Sequence, residues 1–314
     1  KGIDARPSQN GVNTPYTFSN LNKRNAVLDI REPDNWPHLE RLIREADVVM
    51  ENQKPGSLAR RGLTYEVLQG INPRIIYVSC PGYGHEGPMR DWFCFAPFAE
   101  AFSGFGGLTG PFGDRPELIR YAYMDINASC YIVSATLLGI IARDRTGQSQ
   151  RLTLSQLSAS VAITLPAAAG YLMTGKSPIP LGSVSASTAP HQAFLCQDGK
   201  YVAVGVENQS QWLRFCRAVE REDLPQNPIF RTNAMRVENW QTLATILEQV
   251  FNTRPVRWWY IKLTQHQVPV GYFYEHLDAP YHVQSVENEF FTEIDIPWQG
   301  RMRVGTYPWR FRKS

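Results

Sequence analysis

The 314-residue sequence is short of the groupings that build metal and redox centres. Its five cysteines, Cys80, Cys94, Cys130, Cys196 and Cys216, are scattered, and no two have the spacing of a zinc site or a redox dithiol. An odd set of widely spaced thiols argues against a disulfide framework and predicts a reducing, cytoplasmic setting. The six histidines, His38, His85, His191, His266, His276 and His282, lack zinc spacing too, so no metal is expected. The glycines of Ser103–Gly110, "SGFGGLTG", do not have dinucleotide-fingerprint spacing and do not follow a first strand. A phosphate loop ending in Lys-Ser/Thr is also missing, which removes the P-loop nucleotide hydrolases.

Neither sign of charge prevails. Lys and Arg total 32 against 29 Asp and Glu, and the net charge of +3 is too small to predict nucleic-acid binding, though it suits a small anionic ligand. No secretory pattern is visible from Lys1 onward. Long apolar runs are nearly missing. The uncharged stretch Ile126–Ala142 is at the short limit for a membrane span and carries Asn127, Ser129, Ser134 and Thr136. It reads as a helix buried in a core, and no membrane partner is expected.

What is present is an alternation of strand and helix. "NAVLDI" (Asn25–Ile30), "DVVMEN" (Asp47–Asn52) and "RIIYVSC" (Arg74–Cys80) have strand character. Between them "WPHLERLIREA" (Trp36–Ala46) and "TYEVLQGI" (Thr64–Ile71) have helical periodicity. A β-α-β-α-β rhythm predicts a parallel sheet with helices on its faces, and ligands then bind beyond the carboxyl ends of the strands. Downstream, Gln156–Leu172 is helical, "HQAFLCQDGKYVAVGV" is a hairpin turning at Asp198-Gly199, Gln209–Leu263 is helical, and the end alternates like a meander.

Three features carry candidate chemistry. Lys23, Arg24, Arg31, Lys54, Arg60 and Arg61 cluster near strand ends, where they are either solvated surface or a pocket for a phosphorylated ligand. His85 lies in the turn "CPGYGHEGP", as a surface residue or a pocket lining. Asp125 stands directly ahead of the uncharged run. Its spacing reads first as a helix N-cap, and a carboxylate held at a helix start has a depressed pKa and stays ionised, as a nucleophile requires.

Several blocks resemble the class III CoA-transferases, the CaiB/BaiF family that includes formyl-CoA and carnitine-CoA transferases. "NLNKRNAVLDI" is similar to its N-x-N-K-R-S-V-x-L-D-L segment, and "ADVVMENQKPGSLARRGL … NPRIIYVSCPGYGHEGP" to its A-D-V-x-x-E-N-F-R-P-G … G-F-G-x-x-G-P stretch. "AEAFSGFGGLTG" and "ARDRTGQSQ" match its A-Q-A-x-S-G and A-R-x-x-T-G-x-G-Q blocks in the right order.

The resemblance implies an α/β fold: a large domain with a Rossmann-like parallel sheet, a smaller α+β domain, and an interlocked homodimer. The large domain is expected over 1–190, continued by 285–314, and the small one over 191–284. The family's amino-terminal strand, upstream of "GIDAR", and its carboxyl-terminal tail are expected to be missing from this sequence.

By the same resemblance Asp125 is the nucleophile that moves coenzyme A from an acyl-CoA to a small carboxylic acid, through an aspartyl anhydride and an aspartyl-CoA thioester, with no metal. Leu28 and Arg31 would flank the adenosine of CoA, Asn52, Gln53 and Lys54 would line its pocket, and Arg60 would pair with phosphate. Gln53 stands where Phe or Leu is usual, and Glu100 where Gln is common. α-Methylacyl-CoA racemases share the pattern but need a second proton carrier, and Phe95 occupies the position aligned to their histidine. A non-catalytic CoA-binding half of a paired transferase is the remaining alternative.

Overall fold

The computed structural model describes residues 8–9, 12–13, 16, 19–119, 121–275, 278–296 and 300–310. The "GIDAR" segment lies outside them. By contacts the chain falls into two units, Val27–Ala186 and Lys1–Ala26 with Ser187–Ser314, a division that groups the chain ends otherwise than the expected domains do.

In the first unit, β1 (Val48–Glu51), β2 (Ile76–Ser79) and β3 (Gln150–Thr153) form a parallel sheet in that order, with Val48 opposite Ile76 and Ile76 opposite Gln150. The central strand is buried along its whole length, which its run of Ile, Tyr and Val anticipates. Helices α1 (Trp36–Glu45) and α2 (Tyr65–Ile71) contribute Ile43 and Leu68 to a core with Leu63, Ile75 and Tyr77.

After α3 (Ala96–Phe102) comes α4 (Tyr123–Thr146), which approaches the sheet at Gly139. A Cβ there would lie 2.8 Å from Leu152 Cδ1 and 3.1 Å from Ile76 Cγ2, so the close contact needs glycine. At the far end of α4 the buried Arg143 donates to Asp47 at 2.7 Å and to Asp144 at 3.2 Å, tying the helix to the start of β1. Helix α5 (Gln156–Thr174) follows β3.

In the second unit, β4 (His191–Leu195), β5 (Tyr201–Gly205) and β6 (Val270–Tyr272) form an antiparallel sheet. Helices α6 (Gln209–Ala218), α7 (Asn233–Glu238), α8 (Trp240–Phe251) and α9 (Val256–Gln265) accompany it. Their apolar faces meet in a core with Phe194, Trp212, Phe215, Phe230 and Phe251 all 1% exposed or less. The fully buried Arg236 is held by the Ala189 carbonyl at 2.7 Å and the Phe230 carbonyl at 3.2 Å. A hairpin of β7 (Phe291–Ile296) and β8 (Gly300–Gly305) comes last.

Two expectations need correction. Asn25–Ile30 joins no ladder among the described residues, and Val27 is fully exposed. A strand persists only where a neighbouring backbone completes its bonds. Here local bonds take over: the Asp29 carboxylate accepts from the Arg31 amide at 3.0 Å, and Asn35 Nδ2 donates to the Asp29 carbonyl at 3.0 Å.

Nor is α4 a buried core helix. Ile126, Leu137 and Leu138 are 59%, 55% and 65% exposed, and on α5 Leu172 and Met173 reach 77% and 87%. The sheet contacts only one side of α4, and the apolar residues continue all the way round it. Both helices are long and apolar enough to cross a membrane.

Candidate active site

Asp125 is the third residue of α4, and Ala122 is the N-cap, without a side-chain cap. The expected capping role is therefore corrected. The Asp125 carboxylate turns away from its own helix amides and accepts a hydrogen bond from Gln156 Nε2. Gln156 is buried at the first position of α5, behind a capping box in which Ser155 Oγ accepts from the Ser158 amide at 2.9 Å. The amides of Gln156 and Leu157 donate to the carbonyls of Pro81 and Gly82 at 3.0 and 2.9 Å. Asn127 Nδ2 donates to the Ala159 carbonyl at 2.7 Å. The start of α4, the start of α5 and the turn after β2 are thus bonded together around the carboxylate.

The carboxylate opens into a cavity of about 290 Å³ lined by Asn52, Cys94, Phe95, Gln156 and Ile132, among others. The site lies beyond the carboxyl ends of β1 and β2, as expected for an open parallel sheet. Asp125 is exposed as a residue and lines the cavity, while its carboxyl is partly shielded from water by the groups around it. Burial raises its pKa above the usual carboxylate value, with the Gln156 hydrogen bond opposing. The depressed pKa expected at a helix start is therefore reversed, because loss of water outweighs the single donor.

Burial, reinforced by Glu51, pushes the Cys80 thiol to about 11, and burial raises Cys94 on the same cavity wall, which disfavours the thiolate form of both. Gly82 backs against Cys94: a Cβ on Gly82 would fall 2.1 Å from Cys94 Cβ.

The turn after β1, which gives Asn52 to this cavity, also enters a second one of about 430 Å³, lined by Glu51, Lys54, Gly56, Tyr77, His85 and Arg151, among others. Glu51 is the strut between the two. Its carboxylate accepts from the Gln53 amide at 2.7 Å, from Tyr77 Oη at 3.1 Å and from Ser79 Oγ. Lys54 Nζ donates to the Asp91 carbonyl at 2.8 Å and sits 3.4 Å above the centre of the Phe93 ring.

Of the residues named from sequence, Asn52 lies with Asp125 and Lys54 lines the second cavity. Gln53 is fixed between them by its backbone. Arg60 donates to Ser57 Oγ at 3.2 Å and packs beside Gly56. Leu28 and Arg31 line neither cavity, and Arg31 is paired with Asp29 at 2.6 Å. Gln156, Glu51, Cys80 and Cys94 were missed. Glu51 at a strand's carboxyl end carried a signal, whereas the others are brought in by tertiary packing alone. Among the described residues no cluster of His, Cys, Asp or Glu side chains could hold a metal ion.

The sequence profile of CoA-transferase family III matches residues 4–314. The chain belongs to that family. It is 31% identical over 291 residues to human succinyl-CoA:glutarate CoA-transferase, covering 93% of this chain and 66% of the relative. Acetyl-CoA:oxalate CoA-transferase of Acetobacter aceti is 28% identical over 257 residues, covering 82% of this chain and 66% of the relative. The chain thus spans about two thirds of the length of these curated relatives. Among solved structures, a CaiB/BaiF family protein from Brucella suis superposes with a TM-score of 0.84 at 30% identity, over 97% of this chain and 80% of that one.

Proposed function

We propose that the protein is an acyl-CoA:carboxylate CoA-transferase with Asp125 as its nucleophile. The observation that carries this reading is the Asp125 carboxylate facing an open cavity at the strand ends, with the coenzyme-side residue Lys54 in the turn that also gives that cavity Asn52. An Asp125 oxygen attacks the thioester carbonyl and expels CoA thiolate, leaving an acyl-aspartyl anhydride. The thiolate attacks the aspartyl carbonyl, releasing the first acid as a carboxylate and forming an aspartyl-CoA thioester. The incoming carboxylate attacks that thioester, and the expelled thiolate takes the new acyl group, freeing Asp125. Oxygen charge developing at each step meets neutral amide donors on Asn52 and Gln156. A crowded, partly desolvated carboxylate is the stronger nucleophile.

Coenzyme A occupies the second cavity in this reading, with Lys54 and the adjoining Gln53 and Arg60 around its phosphates and base, and Leu28 and Arg31 at the outer, adenosine end. The protein works in the cytoplasm without a metal. The exposed apolar sides of α4 and α5 support a homodimer of the family's interlocked type.

Phe95 lines the Asp125 cavity at the position aligned to the racemase histidine. A phenyl ring has no ionisable proton to exchange, which favours transfer over two-base epimerisation. Incubation with acyl-CoA followed by hydroxylamine should label Asp125, and Asp125→Ala should abolish exchange. Exchange surviving in that variant eliminates the covalent scheme, and loss of α-hydrogen into D₂O without exchange selects the racemase.

A further inference from the structure

The turn after β2 passes through Gly84-His85-Glu86-Gly87, and the two glycines have φ of 104° and 87°. A backbone with positive φ on both sides favours glycine. It carries the chain round so that His85 lines the 430 Å³ cavity. His85 Nε2 is buried and has no hydrogen-bond partner among the described residues. Buried ring nitrogens are rarely left so, because water or protein normally satisfies them.

The contacts of the charged residues Glu51, Lys54, Arg90 and Arg151 in this cavity run to groups other than the His85 ring. Glu51 accepts from Gln53, Tyr77 and Ser79, and Lys54 donates to the Asp91 carbonyl. Arg90 is paired with Asp91 at 3.6 Å and Arg151 with Glu66 at 4.0 Å.

We propose that His85 is a ligand-contacting residue of this cavity, donating a hydrogen bond from Nε2 to an oxygen of coenzyme A. The inference rests on the assignment of the cavity to the coenzyme. The oxygen belongs to a phosphate or to an amide carbonyl of the pantetheine arm.

Calorimetric titration of the wild type, His85→Ala and His85→Gln with coenzyme A and with adenosine 3′,5′-bisphosphate tests it. His85→Ala should weaken coenzyme A binding about five- to tenfold, the worth of one hydrogen bond. His85→Gln, which restores a donor, should recover most of the loss. The ligand-free Tm of His85→Ala should be unchanged or higher, because an unpaired buried group has been removed. An equal loss toward the bisphosphate assigns the contact to phosphate, and a loss confined to coenzyme A assigns it to the pantetheine arm. Unchanged coenzyme A affinity in His85→Ala overturns the inference, as does a lowered ligand-free Tm, which marks a structural role. A wild type that binds no coenzyme A overturns the cavity assignment and this inference with it.

Discussion

The two units solve the same problem differently. The second buries Trp212, Phe215, Phe230 and Phe251 completely within its own chain. The first buries its sheet but leaves Leu138 and Leu172 on α4 and α5 largely exposed. The second unit closes a large aromatic core around its helices, while the long apolar helices of the first keep much of their surface open, a surface that the proposed homodimer would cover. The nucleophile candidate sits in the first unit, on α4 itself.

The sharpest test of this contrast is a disruptive substitution in each unit. Phe251→Ala should cost about 3–5 kcal/mol in chemical denaturation, the usual price of an emptied aromatic site. Leu138→Glu with Leu172→Glu should leave folding of the isolated chain nearly unchanged yet convert a dimer to a monomer in sedimentation experiments. If those glutamates instead unfold the chain, the helices are part of a core of the monomer.

A smaller effect is expected at Asp125. Burial raises its pKa in the folded chain, so the folded state keeps the proton to higher pH than the unfolded chain does. Its contribution is most favourable below the ordinary Asp range and declines as pH rises through the raised value. Asp125→Asn does not ionise and still accepts from Gln156. Its Tm should exceed that of the wild type at neutral pH, with the advantage vanishing in acid. The smallest effect belongs to Arg31→Ala, whose pair with Asp29 is solvated. A Tm change within the error of a melting curve is expected, while weakened coenzyme A binding would support its place at the adenosine end.

The parallel sheet was legible because Val48 and Val49 lie in a short run between two helical stretches, and Ile76 and Val78 in an apolar run directly after the second. Asp125 was legible because a carboxylate interrupts an apolar context. Its setting was not, since Gln156 arrives from the start of another helix. Local capping statistics favoured the backbone as partner, and tertiary packing supplied a side-chain amide instead. The segment Asn25–Ile30 misled for a related reason: β propensity describes a residue's comfort in a ladder and says nothing of whether a neighbour exists. The exposed face of α4 could not be foreseen either, because an all-apolar helix looks the same whether its cover is the same chain or another.

Glu51 holds the backbone of Gln53, while the residues flanking Gln53 face separate chambers. Any change that reshapes this turn therefore alters both chambers at once, and under the proposed assignment it would be felt by acyl group and coenzyme together. A lineage adapting such a protein to a bulkier acid would find the opposite wall, around Cys94 and Phe95, the easier place to vary.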